Sequence, residues 1–268
     1  SASLAIGAYS AMLWRSGLSA VVMAPVWKLG GGKWPKGEVM RLHAVRGLNS
    51  AGMATSFFWG LKYLPLAEGM AISFIAPLIA LYLAAVTLGE TIGRKAVIAS
   101  GLGLMGVLII AAARLGQGPY DPKVAWGIAA ILFSAVLYAW NLILQRRQAQ
   151  IADPREIALF QAVYTGLFLA VLAPWLATFP PLAVWAHLAG SAALATLSLM
   201  LIAWGYAREE TQALLPLEYS AFIWAALLGW IMFDEALTAP TVAGAVLIVA
   251  GCLIATRKRP EHIEQTAL

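Results

Sequence analysis

The chain is short of the groups that soluble enzymes depend on. Lys and Arg together number 18, Asp and Glu 13 and His 3, so charged residues make up 12% of the 268 positions, about half the share usual in a soluble domain. Cysteine occurs once, at Cys252 inside an apolar run, which excludes an internal disulfide and suggests packing. His43, His187 and His262 fall near the ends of apolar stretches or in the tail. There is no His-Glu-x-x-His pair for zinc and no paired-aspartate motif for magnesium and diphosphate. The stretch Gly30-Gly31-Gly32-Lys33 lacks Walker spacing and a following Ser or Thr, so ATP hydrolysis is unsupported. An intramembrane protease or lipid transferase would lack its equipment, and no metal or cofactor is expected.

What fills the chain is apolar: 61% hydrophobic residues and a mean hydropathy of +0.79. This material falls into blocks near the ~20 residues that a bilayer-crossing helix needs. Nine spans are predicted, over 4–28, 43–64, 67–88, 95–113, 124–145, 155–177, 183–206, 211–233 and 239–256. Gly30-Gly31-Gly32-Lys33-Trp34-Pro35 and Gly116-Gln117-Gly118-Pro119 are the clearest turns, and the second is expected to join two halves. The first span runs too long for a signal peptide and ends in a basic loop. The net charge of +5 resides mostly in short inter-span loops, which suits anionic lipid and orientation better than nucleic acid.

Landmarks recur at a fixed interval. Trp59-Gly60 returns as Trp204-Gly205, Glu90 as Glu235 and Gly106 as Gly251, each 145 positions on (59 to 204, 90 to 235, 106 to 251). Ser16-Gly17-Leu18 and Ala24-Pro25 return as Thr165-Gly166-Leu167 and Ala173-Pro174, offset by 149 (16 to 165, 24 to 173). The chain therefore divides into 1–116 and 117–268, two copies of one unit. Five spans, an odd number, separate each landmark from its twin, so the copies should lie upside down to each other. Inverted repeats of this kind mark alternating-access transporters. The arithmetic also predicts a tenth helix upstream, the partner of span 124–145.

Positive charge follows alternate spans. Lys28, Lys33, Lys36, Arg41 and Arg46 follow the first, Arg94 and Lys95 the third, Arg146, Arg147 and Arg155 the fifth, and Arg257, Lys258 and Arg259 the last. Lys62, Arg114 and Lys123 are exceptions. The positive-inside rule then places the C-terminus in the cytoplasm, in a bacterial inner membrane.

Arg15, near the middle of its span, can be a structural arginine bonded to backbone carbonyls or a cavity arginine that meets a substrate carboxylate. Its counterpart in the second copy is Tyr164. Glu218 can pair with Arg15, carry a coupling proton, bind a substrate amine, or sit at the watery cytoplasmic end of its helix. Glu90 and Glu235 are expected to hold loop amides or start the next helix. Trp59 and Trp204 suit an interface belt, with a pathway role as the alternative. Asn49, Ser56, Tyr82, Tyr138, Asn141, Tyr164, Thr165 and Tyr219 complete the candidates, Asn141 between Tyr138 and Trp140 being the best cluster because a buried amide needs partners. Ala99, Gly103, Gly106, Gly244 and Gly251 are expected to form packing faces, and Pro77, Pro174 and Pro216 to unwind their spans locally.

Phe57-Phe58-Trp59-Gly60-Leu61-Lys62-Tyr63-Leu64-Pro65-Leu66-Ala67-Glu68-Gly69-Met70, then Ala76-Pro77-Leu78, Leu88-Gly89-Glu90 and Gly106, echoed by Phe233-Asp234-Glu235-Ala236-Leu237 and Gly251, resembles the EamA domain of the drug/metabolite transporter superfamily. Leu13-Trp14-Arg15-Ser16-Gly17-Leu18 is similar to that family's second helix. The resemblance implies an all-α membrane protein of two inverted five-helix repeats, ten helices of which nine are legible here. It also implies a central cavity and export of small metabolites such as amino acids and related compounds. The expected partners are a small-molecule substrate and membrane lipid, without nucleic acid, and a homodimer is left open. An intramembrane enzyme or a non-transporting structural or sensory membrane protein stands as the alternative.

Overall fold

The computed structural model of the chain describes residues 6–64, 66–112, 123–221, 224, 227, 231 and 239–256. The turn Gly116-Gln117-Gly118-Pro119, Arg114, Glu235 and the tail cations Arg257, Lys258 and Arg259 lie outside the described residues. Within them the fold is all-helical: α1 Ala8–Leu29, α2 Glu38–Gly60, α3 Leu66–Ser73, α4 Ala76–Leu88, α5 Arg94–Ala112, α6 Val124–Ile151, α7 Pro154–Ala170, α8 Ala173–Leu176, α9 Leu182–Arg208, α10 Thr211–Glu218 and α11 Ala239–Thr256. The helices α6 and α9 are each long and apolar enough to cross a membrane unaided.

Local chemistry sets the boundaries. Asp153 caps α7 by accepting from the Arg155 amide at 2.8 Å, with Pro154 in the first turn, where a missing N–H costs nothing. The Arg155 side chain and amide hold the Asp153 carboxyl below its ordinary range. The end of α4 falls at Gly89, whose φ of 69° is left-handed, a backbone state that glycine enters freely.

Three spans are broken where proline was expected to act. The span 67–88 divides into α3 and α4 at Phe74-Ile75, just before Pro77. The span 155–177 divides into α7 and α8 just before Pro174, and α10 stops at Glu218, two residues after Pro216. Two helices also outrun their apolar text. The first turns of α2 precede the expected start at 43, and α6 continues to Ile151 instead of ending at 145. Arg41, Arg146 and Arg147 therefore belong to helices and not to loops, and Glu90 and the Thr87 carbonyl partner the last two.

The repeat has a direct geometric signature. A Cβ built on Gly106 would stand 2.6 Å from the Gly244 carbonyl oxygen, and one on Gly251 would stand 2.8 Å from that of Ala99. Residues 106 and 251 are counterparts, as are 99 and 244, so the contact is reciprocal. Rising numbers on α5 meet falling numbers on α11, which makes the two helices antiparallel about a pseudo-twofold axis. Counterpart helices meet elsewhere too, where α1 packs on α7. The copies are inverted.

At the centre, α6 packs against α2, α3, α4, α7, α9 and α10. One apolar cluster joins Ala76, Ala80 and Leu81 of α4 to Ala135, Ala139 and Leu142 of α6 and Leu215 of α10. Small residues there allow close approach of backbones, which drives helix association where lipid removes the hydrophobic incentive. At one end of α6, Gly127 faces Gly60 of α2. At the other, Gln150 donates to the Tyr206 carbonyl at 2.9 Å. About 35 Å of helix separates positions 127 and 150 at 1.5 Å per residue. Trp59 and Trp204, beside Gly60 and Tyr206, therefore occupy opposite ends of the bundle.

Candidate functional site

Arg46 is the centre of the polar interior. Eight residues into α2, about 12 Å from its start, it is only 2% exposed. Its Nε donates to Asn141 Oδ1 at 2.8 Å, one terminal nitrogen to Gln148 Oε1 at 2.7 Å and the other to Gln145 Oε1 at 2.6 Å. Positions 141, 145 and 148 follow one face of α6 at i, i+4 and i+7, so the helix presents a ladder of amides to one guanidinium. Among the described residues no carboxylate lies within ion-pair distance of Arg46. A cation buried among neutral acceptors keeps its positive field, since amide oxygens satisfy hydrogens without cancelling charge.

The network extends in two directions. Towards the start of α7, Gln148 Nε2 lies 2.9 Å from His43 Nδ1, and His43 Nε2 lies 3.0 Å from Glu156 Oε1. The imidazole stacks on Phe160 with centroids 5.0 Å apart. Towards the middle of the bundle, Asn141 donates to the Ser50 hydroxyl at 3.2 Å, and Gln161 donates to Ser50 at 2.7 Å and to Thr165 at 3.0 Å. Gln161 and Thr165 then line a cavity of about 70 Å³ with Arg15, Ser16, Ser19 and Thr196. Buried polar atoms without a partner remain here: Gln145 Nε2, Gln161 Oε1 and the Tyr206 hydroxyl. Such atoms are expensive in a dry interior and are satisfied when a polar ligand or water enters.

A groove of about 820 Å³ opens at the end where α2 begins and α6 finishes. Its apolar wall includes Leu42, Val45, Trp140 and Leu144, and its rim carries Glu38, Arg41, Glu90, Arg146, Arg147 and Glu210. Glu90 crosses between the copies: its carboxylate accepts from the Thr211 amide at 3.0 Å and hydroxyl at 3.1 Å, and pairs with Arg146 at 3.3 Å. It therefore caps the start of α10, where a carboxylate meets the positive end of the helix dipole.

The sequence-derived candidates separate into groups. Asn141 lies on Arg46. Tyr138, one turn before it on α6, donates to Glu218 Oε2 at 2.6 Å, so Glu218 pairs with a tyrosine and not with Arg15. Arg15 is half-buried on the small cavity, with no hydrogen-bond partner among the described residues. Tyr164 donates to Met40 Sδ at 2.9 Å and packs beside Gly47. Tyr219 is fully buried, with its hydroxyl on the Phe74 carbonyl at 3.3 Å. Asn49 ties α2 to the Leu137 carbonyl of α6 at 2.8 Å, and Ser56 bonds back to Gly52 in its own helix. Trp59, Tyr82 and Trp204 are exposed, Trp204 under Arg208 at 4.2 Å.

Reading the sequence missed Arg46, His43, Gln145, Gln148, Glu156 and Gln161. The signal available was the amide spacing Asn141, Gln145, Gln148 inside an apolar helix, which demands a multivalent donor opposite.

Comparison with known proteins places this architecture. The EamA-like transporter family matches residues 2–112 and 125–257. The pseudopaline exporter CntI of Pseudomonas aeruginosa (strain UCBPP-PA14) is 22% identical over 215 residues, covering 80% of this chain and 74% of that protein. An uncharacterized transporter of Helicobacter pylori (strain J99) is 26% identical over 214 residues, covering 75% and 68% respectively. An uncharacterized transporter of Archaeoglobus fulgidus is 26% identical over 204 residues, covering 76% and 72%. A solved structure described as "Crystal structure of protein" superposes with a TM-score of 0.82 at 22% identity, over 96% of this chain and 91% of that one. With both copies matched, the chain belongs to the EamA-like transporter family, a family of multi-pass membrane proteins.

Proposed function

We propose that the protein is a secondary transporter that exports small, carboxylate-bearing metabolites, amino acids or related compounds, from a bacterial cytoplasm by alternating access. The observation that carries this reading is Arg46, a buried cation held only by neutral amides. Its field attracts an anionic group, and a carboxylate could replace one or two amide oxygens without breaking an existing ion pair. The unpartnered atoms of Gln145, Gln161 and Tyr206 would receive the remainder of a polar substrate. Arg15, on the small cavity beyond Gln161, would meet it from the other side.

In this reading the 820 Å³ groove is the cytoplasmic vestibule. The rocking elements are the copies themselves, which share a pseudo-twofold axis and carry broken helices beside it. The basic residues at the groove end support an inner-membrane orientation with the C-terminus in the cytoplasm. The Pseudomonas relative is an exporter, which agrees with the direction.

The test is flux from proteoliposomes loaded with a labelled panel of amino acids, nucleosides and vitamins. Efflux of at least one carboxylate-bearing compound above protein-free vesicles, lost in Arg46→Met, is expected. Flux confined to compounds without a carboxylate would overturn the substrate class, and no flux across the panel would overturn the transport reading.

A further inference from the structure

We infer that His43 and Glu156 form a proton-binding site whose occupancy decides whether Arg46 keeps its bond to Gln148, so that proton uptake frees the guanidinium for a substrate anion. This rests on the transport reading above and adds a proton site linked to binding of the substrate anion.

The inference follows from counting donors and acceptors at Gln148. Its amide has one oxygen and one NH2 group. The oxygen accepts from Arg46 at 2.7 Å, and the nitrogen lies 2.9 Å from His43 Nδ1. A guanidinium offers only donors, so the oxygen must face Arg46 for that bond to exist. The amide hydrogen then points at His43, whose Nδ1 must carry a lone pair, leaving the ring hydrogen on Nε2 to bond Glu156 at 3.0 Å. All three bonds are satisfied together only when the imidazole is neutral.

A proton from water that binds the Nδ1 lone pair puts hydrogens on both ring nitrogens. No covalent bond breaks, and the imidazolium remains paired with the Glu156 carboxylate. Nδ1–H now meets an N–H of Gln148. The amide can turn over and offer its oxygen to His43, but it then points N–H groups at Arg46. The Gln148 oxygen has two lone pairs but sits at one end of the amide, whereas Arg46 and His43 face opposite ends, so one of the two cationic donors meets the NH2 end and is released. Imidazolium and guanidinium also repel in a medium that screens poorly, which favours departure of the arginine donor towards an incoming anion. Proton and anion therefore bind cooperatively.

The site has the access this requires. The Glu156 side chain retains 15% exposure in the first turn of α7, whereas His43 retains none. Among the described residues, the ionisable groups that act on the imidazole are Glu156 from α7 and Arg46 from its own helix. From α6 it meets the neutral amide of Gln148, and α7 adds the ring of Phe160.

The test is a pH titration, by side-chain nuclear magnetic resonance, of the purified chain in lipid nanodiscs carrying labelled His and Arg. His43 is assigned by difference with His43→Gln and Arg46 by difference with Arg46→Lys. In the wild type, the Arg46 guanidinium signals should move with the same midpoint as the His43 ring, passing from a tenth to nine tenths of the change over about two pH units. Gln148→Glu, whose two oxygens serve both cations, should leave His43 titrating while the Arg46 shift falls several-fold. His43→Gln should abolish the Arg46 response. A His43 ring that stays neutral from about pH 4 to 9, or that titrates while Arg46 does not move, overturns the inference. If His43→Gln does not fold, the His43 ring is assigned instead in a chain carrying His187→Gln and His262→Gln, where it is the sole histidine, and the absence of a guanidinium signal sharing its midpoint then overturns the inference. Efflux without the linked titration would sink only the relay, and the linked titration without efflux would sink only the transport reading.

Discussion

Phe74 and Tyr219 stand 145 positions apart in the chain, and their ring centroids lie 5.7 Å apart, tilted by 31°. They are counterparts in the two copies, so the pseudo-twofold axis passes beside them. Each also marks the break in its span, between α3 and α4 and after α10. The breaks are equivalent although the prolines are not: Pro77 follows Phe74 by three residues, and Pro216 precedes Tyr219 by three. Two local devices thus produce one symmetrical pair of interruptions, with aromatic rings filling the space between.

That packing makes Tyr219 a test of the axis. Its ring also lies against Gly103, where an added Cβ would stand 2.3 Å from it. Tyr219→Phe removes only a long hydrogen bond and is expected to change stability by less than about 1 kcal/mol. Tyr219→Ala opens a cavity and should cost about 3–5 kcal/mol. Denaturant unfolding in detergent measures both. Equal effects would mean that the ring does not hold the breaks together.

The interface between α5 and α11 yields a reciprocal prediction. Gly106→Ala and Gly251→Ala each drive a methyl group into a backbone carbonyl of the opposite helix, and each should cost about 1–3 kcal/mol. Gly101→Ala, where nothing lies within 4 Å, should be nearly neutral. The paired glycine variants should resemble each other more closely than either resembles Gly101→Ala. Thermal unfolding of the three variants checks this.

The inverted arrangement places Trp59 and Trp204 at opposite ends, and cysteine labelling reads that directly. In a Cys252→Ser background, Trp204→Cys should react with an impermeant maleimide from the cytoplasmic side and Trp59→Cys from the outer side. Labelling of both from one side would contradict the packing of α6 between them.

The duplication, the helical class and the small-residue faces were legible in the chain because each leaves a periodic mark: equal spacing, apolar length, glycines a whole number of turns apart. The polar centre was hidden for a different reason. Hydropathy reads Arg146 and Arg147 as loop charges and Arg46 as a charge near the start of its span, since a lone cation is costly in lipid. The compensation comes from far along the chain, Gln145 and Gln148 for Arg46 at 99 and 102 positions and Tyr206 for Arg146 at 60. Nothing in the text around Arg46 shows those partners. Asn141 was found because an amide inside a span is unusual by itself, whereas Gln145 and Gln148 fell at or beyond the expected end of their span. Glu90 was expected to hold loop amides, and the amide it accepts from belongs to Thr211, across the chain in the other copy.

Removal of that carboxylate should loosen one helix start locally. Glu90→Ala leaves the Thr211 amide and hydroxyl without their acceptor and Arg146 without its ion pair, a loss of about 0.5–2 kcal/mol for the cap. Hydrogen exchange at the amides of 211–214 should accelerate in this variant while α2 and α6 remain protected. Unchanged exchange there would mean that α10 starts without help from the first copy.

Arg46 itself offers the sharpest separation of charge from hydrogen bonding. Arg46→Met removes both, leaving the side-chain oxygens of Asn141, Gln145 and Gln148 to find other donors, and should cost about 1–3 kcal/mol for each that finds none. Arg46→Lys keeps the charge but offers a point donor that cannot reach three acceptors arranged as a fork. If the positive field attracts the substrate, Arg46→Lys should bind a carboxylate-bearing compound several-fold more weakly yet still carry it, while Arg46→Met should carry none. If Arg46 only braces α2 against α6, the lysine variant should lose stability and leave the affinity of the folded fraction unchanged. Flux against substrate concentration, measured beside thermal stability on the same preparations, distinguishes the two outcomes.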